Sequence, residues 1–150
     1  MRAVIQRVKS ASVSINNLVR AEIKTGLLIF LGIGLEDNDE DINWLTNKIV
    51  NLRIFDDQNG MMNLSIIDLD AEAMIISQFT LHAQTKKGNR PSYNKAASQE
   101  LAVPIYKKFI KQMECHLPGK ISSGIFGANM KVDLTNNGPV TIIIDTKNRE

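Results

Sequence analysis

A chain of 150 residues, 43% hydrophobic and 23% charged, has the size and composition of one globular domain around a single core. Its formal charge of +2 is too small for a protein that grips nucleic-acid phosphates over a broad face, although a local basic patch fits within it. The only cysteine, Cys115, excludes an intramolecular disulfide and a cysteine metal cage, and points to a reducing compartment, the cytoplasm.

The opening stretch MRAVIQRVKS carries Arg2 and Arg7 inside its apolar pattern, which breaks any secretory segment. Residues 2–15 alternate as a strand, and Asn16-Asn17 marks a hairpin turn into LVRAEI. Gly26 begins an apolar run, GLLIFLGIGL, that is about half the roughly 20 residues needed to span a bilayer, so it is a buried strand and no membrane association is expected. Gly32 and Gly34 close it. Asp37, Asn38 and Asp39 offer helix caps, and Ile42, Leu45, Ile49 and Leu52 then share one helical face.

Asn59-Gly60 signals a turn, and AEAMIISQFTL at 71–81 predicts another nearly all-apolar strand. Residues 81–92, polar and carrying Lys86, Lys87 and Arg90, form a functional or mobile loop. The spacing of Leu101, Ile105, Phe109 and Met113 predicts a helix over about 95–116, with a bend or restart at Pro104 and an end at Pro118-Gly119. Gly124 and Gly127 are expected bulges or points of close approach among the last strands. The stretch KVDLTNNGPVTIII at 131–144 looks like one strand, yet Gly138-Pro139 sits in its middle, where neither residue belongs. This order predicts a single domain over 1–150 of the α+β (mixed α/β) class with a largely antiparallel sheet.

Few residues offer conventional chemistry. His82 and His116 lie far apart without partners at ligand spacing, so no metal site is expected and both are assigned to the surface or to a cap. No phosphate loop and no nucleophile elbow are present. Two polar stretches remain, where strands end or break. SQFTL is either a strand edge with Phe79 and Leu81 turned inward, or a polar pocket of Gln78 and backbone N–H groups with Thr80 at its mouth. Gly138-Pro139 is either a bulge or turn, or a cis peptide presenting backbone carbonyls. The basic loop is either a solvated charge cluster or a contact for phosphates at the end of a nucleic acid.

Four segments, MRAVIQRV at 1–8, SQFTL at 77–81, GNRPSY at 88–93 and FGANMKVDLTNNGPVT at 126–141, occur in the order and at the spacing of the D-aminoacyl-tRNA deacylase family, which the chain closely resembles over its full length. The resemblance implies a cytoplasmic homodimer with a barrel-like core and two main helices, which needs neither metal nor cofactor. It would hydrolyse the ester between a D-amino acid and the 3′ end of tRNA, and would also release glycine from mischarged tRNA.

In that reading Ser77, Gln78, Phe79 and Thr80 form the catalytic stretch, with Gln78 and the N–H of Phe79 or Thr80 as oxyanion donors and Thr80 in a positioning role. Gly138 and Pro139 enter the partner's site to reject L-esters, and Arg7 holds their turn. Leu81, Phe126 and Met130 line the substrate pocket, and Lys86, Lys87 and Arg90 meet tRNA. Asn137 and Tyr93 depart from the family's usual Asp and Phe, which bears on substrate preference. The competing readings are a non-catalytic RNA-binding dimer and a deacylase of another aminoacyl ester.

Overall fold

The computed structural model describes residues 1–150. Strand β1 (Arg2–Ile15) forms a hairpin with β2 (Leu18–Ile23) through Asn16 and Asn17, whose φ angles of 51° and 63° are those of a two-residue type I′ connection. Strand β3 (Gly26–Gly32) follows, then helix α1 (Asp39–Val50). The α1 start is capped reciprocally: the Asn38 side chain accepts from Glu40 N at 2.9 Å, while Asp41 Oδ2 accepts from Asn38 N at 3.0 Å. A short ladder of β4 (Phe55–Asp56) and β5 (Met62–Leu64) precedes β6 (Glu72–Ser77). Helix α2 (Gln99–His116), β7 (Ile121–Ser123) and β8 (Lys131–Asp145) complete the chain.

The main sheet runs β2-β1-β3-β6-β7, with β8 also paired along β1. Pairs involving β1 are antiparallel, and β3–β6 and β6–β7 are parallel. The sheet curls until β2 approaches β6 and β7, a nearly closed barrel. Inside the curl lies a small apolar cluster that includes Val8, Val13, Leu28 and Met74. On the other face α1 and α2 pack on the larger core of Ile5, Ile29, Ile75, Leu45, Ile49 and Phe109.

Several local expectations need correction. The buried face of α2 is Ala102, Tyr106, Phe109 and Met113, so Leu101 stands out in solvent at 54% exposure. The stripe is displaced because the amphipathic Tyr106 buries its ring and bonds its hydroxyl, which an apolar count misses. The helix also begins at Gln99 rather than near 95, and it runs through Pro104 without restarting, since the carbonyl left unpaired belongs to exposed Glu100. Leu52 lies just past the end of α1 but still packs on the core.

SQFTL is not a strand edge with Phe79 inward. β6 ends at Ser77, and Phe79–His82 forms a 3₁₀ turn. Gln78 N makes a last bond to Leu31 O at 2.8 Å; then Leu81 N closes on Gln78 O and Ala83 N on Thr80 O. This reversal rotates Phe79 to the surface, 55% exposed.

Candidate active site

The end of β6 opens onto a cleft of about 260 Å³, walled mainly by apolar groups, among them Ile33, Phe79, Ala102, Phe126 and Met130. Ser77 and Gln78 supply polar groups at its edge. Phe126 is fixed from behind: its ring meets Tyr106 edge-to-face at 5.6 Å, and the Tyr106 hydroxyl donates to the Ile75 carbonyl at 2.8 Å. Burial pushes that phenol far above its ordinary pKa, so it stays a neutral donor. Met130 crosses directly over Gly124, where any Cβ would collide with its sulfur, so Gly124 is a point of close approach.

Thr80 stands beside the cleft with its hydroxyl oxygen accepting an N–H from the Gln78 side-chain amide. An amide donor engages an oxygen lone pair and removes no proton. No imidazole, carboxylate or amine is bonded to Thr80, so the hydroxyl lacks the adjacent base that an activated nucleophile needs. The first N–H groups of a helical turn have no partner within it, and the Gln78 side chain does not cap this one. The N–H groups of Phe79 and Thr80 are therefore left without a partner inside the turn.

Gly138 and Pro139 lie elsewhere. β8 continues through them as one strand, because the ladder with β1 absorbs the interruption: Gln6 pairs with Thr141 and Val8 with Asn136, so Arg7 alone stands opposite residues 137–140. The Gly138-Pro139 bond is cis, and Gly138 has φ +137°, a region that only glycine occupies readily. Arg7 is 5% exposed, and its guanidinium donates to Asn137 O at 2.9 Å, Ile54 O at 2.7 Å and Asp56 Oδ1 at 3.0 Å. It thereby ties the outpouching to the β4 segment. Gly138 and Pro139 themselves are exposed and form no part of the cleft of their own chain.

Leu81 is also absent from the cleft. The 3₁₀ turn carries it to a separate hollow of about 810 Å³ with Trp44, Leu52 and Ile143, and its carbonyl accepts from Arg2 Nη1 at 3.0 Å. Lys86, Lys87 and Arg90 are exposed at the tip of an excursion closed by a rung between Gln84 and Ser92, with N···O distances of 2.8 and 3.0 Å. None of the three pairs with a carboxylate.

His82 corrects another expectation, since it is buried rather than on the surface. It packs under the β3 end, where a Cβ on Gly34 would lie 3.1 Å from its Cε1, and its Nε2 has no partner. Desolvation holds its pKa below the ordinary 6.5. No group of three or more His, Cys, Asp or Glu side chains is placed to hold a metal ion. The cleft residues that sequence reasoning missed include Leu31, Ile33, Ile76, Ala97 and Ala102, together with Tyr106, the support behind Phe126. Small apolar residues look alike in a core and in a ligand wall.

Comparison with known proteins shows the family. The family model described as D-Tyr-tRNA(Tyr) deacylase matches residues 4–145. The chain is 59% identical to a D-aminoacyl-tRNA deacylase of Flavobacterium psychrophilum and 57% identical to one of Bacteroides fragilis, in both cases over all of each chain. A solved structure titled c-Myc DNA Unwinding Element Binding Protein superposes with a TM-score of 0.93 at 39% identity, over 97% of this chain and 98% of that one. A probable eukaryotic D-amino acid tRNA deacylase shares the fold, with a TM-score of 0.80 at 15% identity over 95% and 97% of the two chains.

Fold, cleft and relatives together define a hydrolase acting on carboxylic ester bonds. The chain belongs to the D-Tyr-tRNA(Tyr) deacylase family.

Proposed function

We propose that this member of the deacylase family hydrolyses the ester joining a D-amino acid to the 3′-terminal adenosine of tRNA, in the cytoplasm, and that the whole chain acts as one such domain. The observation that carries the reading is the apolar cleft at the end of β6, where Ser77, Gln78 and Phe79 meet Phe126 and Met130. Phe126 and Met130 suit the flat, apolar faces of an adenosine. The strand end supplies donors for the negative charge that develops on the ester oxygen. Water is the nucleophile, assisted by the 2′-OH of the tRNA, while Thr80 orients Gln78.

Chirality is read by backbone rather than by side chains. Gly138 and Pro139 stand outside the cleft of their own chain, which suits insertion into the cleft of a second copy. There their carbonyls hold the ammonium group common to all aminoacyl esters and exclude an L side chain, while any D side chain is left free. Glycine has no side chain to exclude, so glycyl-tRNA is a second substrate. Lys86, Lys87 and Arg90 meet phosphates near the tRNA 3′ end.

Incubation with matched D- and L-aminoacyl-tRNA tests the reading: loss of only the D-ester is expected. Loss of the L-ester would replace the proposal with a deacylase of opposite preference, and loss of neither would replace it with a nucleic-acid-binding protein. A mass measurement in solution should give a dimer.

A further inference from the structure

Tyr93 stands at a junction that the reaction itself does not use. Its ring meets Phe79 edge-to-face, with centroids 5.0 Å apart and planes at 70°. On its N-terminal side the Gln84–Ser92 rung closes the basic excursion, whose tip at Gly88 has open space around it. On its C-terminal side the chain is anchored to the cleft wall: Ala96 N donates to Tyr93 O at 2.9 Å and Ala97 N to Ile33 O at 2.9 Å. Phe79 and Ala97 both line the cleft. One residue thus separates a free basic tip from the strand end that carries the oxyanion donors.

We propose that Tyr93 is a positioning residue that couples phosphate contact at Lys86, Lys87 and Arg90 to the placement of Phe79. The inference rests on the deacylase reading above. Phosphates held at the tip fix the excursion, the rung transmits that restraint to Tyr93, and the edge-to-face contact between the two rings sets Phe79. The backbone N–H of Phe79 moves with it. A small error in an oxyanion donor is costly to rate and nearly silent in binding, so the coupling acts on kcat. The contact is between the rings, so the coupling does not call on the phenol hydroxyl.

The test compares two substrates, a D-aminoacyl-tRNA and the same D-amino acid esterified to adenosine, which has no phosphates for the tip to hold. Tyr93→Ala should lower kcat on the tRNA about ten- to hundredfold with KM within about twofold, and lower it clearly less on the adenosine ester, which never engages the tip. Tyr93→Phe, which keeps the ring, should restore the wild-type rate, and unfolding curves of both variants confirm that the fold is kept. An equal fall on both substrates, a change in KM alone, no change, or failure of Tyr93→Phe to rescue would each overturn the coupling. Replacement of Lys86, Lys87 and Arg90 together by Ser with tRNA hydrolysis untouched would likewise overturn the coupling, whereas the underlying reading fails separately, if wild type leaves D-aminoacyl-tRNA intact.

Discussion

Arg7 Nε lies 2.9 Å from the carbonyl oxygen of Asn137, so the first strand of the chain holds the turn near its end. The same guanidinium reaches Ile54 O and Asp56, which makes one buried cation the hub of three segments. Arg7→Met keeps the stem but leaves two carbonyls without their charged donor. Hydrogen bonds to charged groups contribute about 1.5–3 kcal/mol each. For two such bonds the variant should therefore lose about 6–24 °C in Tm, at about 2–4 °C per kcal/mol for a chain of this size. It should lose discrimination against L-esters before it loses the ability to fold, and paired melting and deacylation assays check both.

Gly138→Ala places a Cβ 2.8 Å from both Val140 Cγ2 and Val140 N, and 3.2 Å from Arg7 Nη2, at a φ of +137°. Backbone atoms cannot step aside as a side-chain tip can, so the turn must shift, at a cost of about 1–3 kcal/mol. The expected outcome is a folded protein with strongly reduced D-aminoacyl-tRNA hydrolysis. Wild-type activity together with full selectivity would remove the turn from the selectivity mechanism.

Thr80→Val removes the oxygen that accepts from the Gln78 amide. If Thr80 only orients Gln78, hydrolysis should fall about tenfold, whereas loss of an oxyanion donor, as in Gln78→Ala, should cost about 10²–10³. Quenching wild-type reactions and searching for an acyl group on Thr80 by mass spectrometry provides the decisive contrast. A trapped acyl-threonine would make it the nucleophile.

His82 should make stability depend on mild acid. Burial lowers its pKa from the ordinary 6.5, the Gly32 backbone and Asp37 favour the charged form, and Arg2 and the N-terminal ammonium oppose it. Because the folded pKa is the lower one, the unfolded chain takes up the proton first as pH falls. The stabilising contribution is complete above about pH 6.5 and is lost as pH falls through the folded pKa. Melting curves from pH 7.5 to 5.5 should show this decline in wild type and a flatter one in His82→Phe. Equal slopes would assign the acid sensitivity to other groups.

Legibility in the sequence followed the range of the physics involved. The β1–β2 hairpin is encoded by Asn16-Asn17, and α1 by Asn38 with Asp41, because turn chemistry and caps act within a few residues. The buried face of α2 was displaced from Leu101 to Ala102 by Tyr106, whose bond to Ile75 O depends on a strand about thirty positions earlier in the chain. SQFTL reads as strand because its pattern alternates. The turn at Phe79 forms because Gln78 N is taken by Leu31 O and the ladder then ends.

By itself the sequence determined the element order, the class of fold, the family and the odd placement of Gly138-Pro139 within a strand. These follow from local propensity, periodicity and motif. Tertiary structure alone decided that Phe79 turns outward, that Leu81 leaves the cleft, that His82 is buried, and that Arg7 opposes residues 137–140 across a slipped register. Each of these depends on partners far apart in the chain, 130 positions in the case of Arg7 and Asn137. No periodicity within one element records which distant carbonyl its side chains will meet.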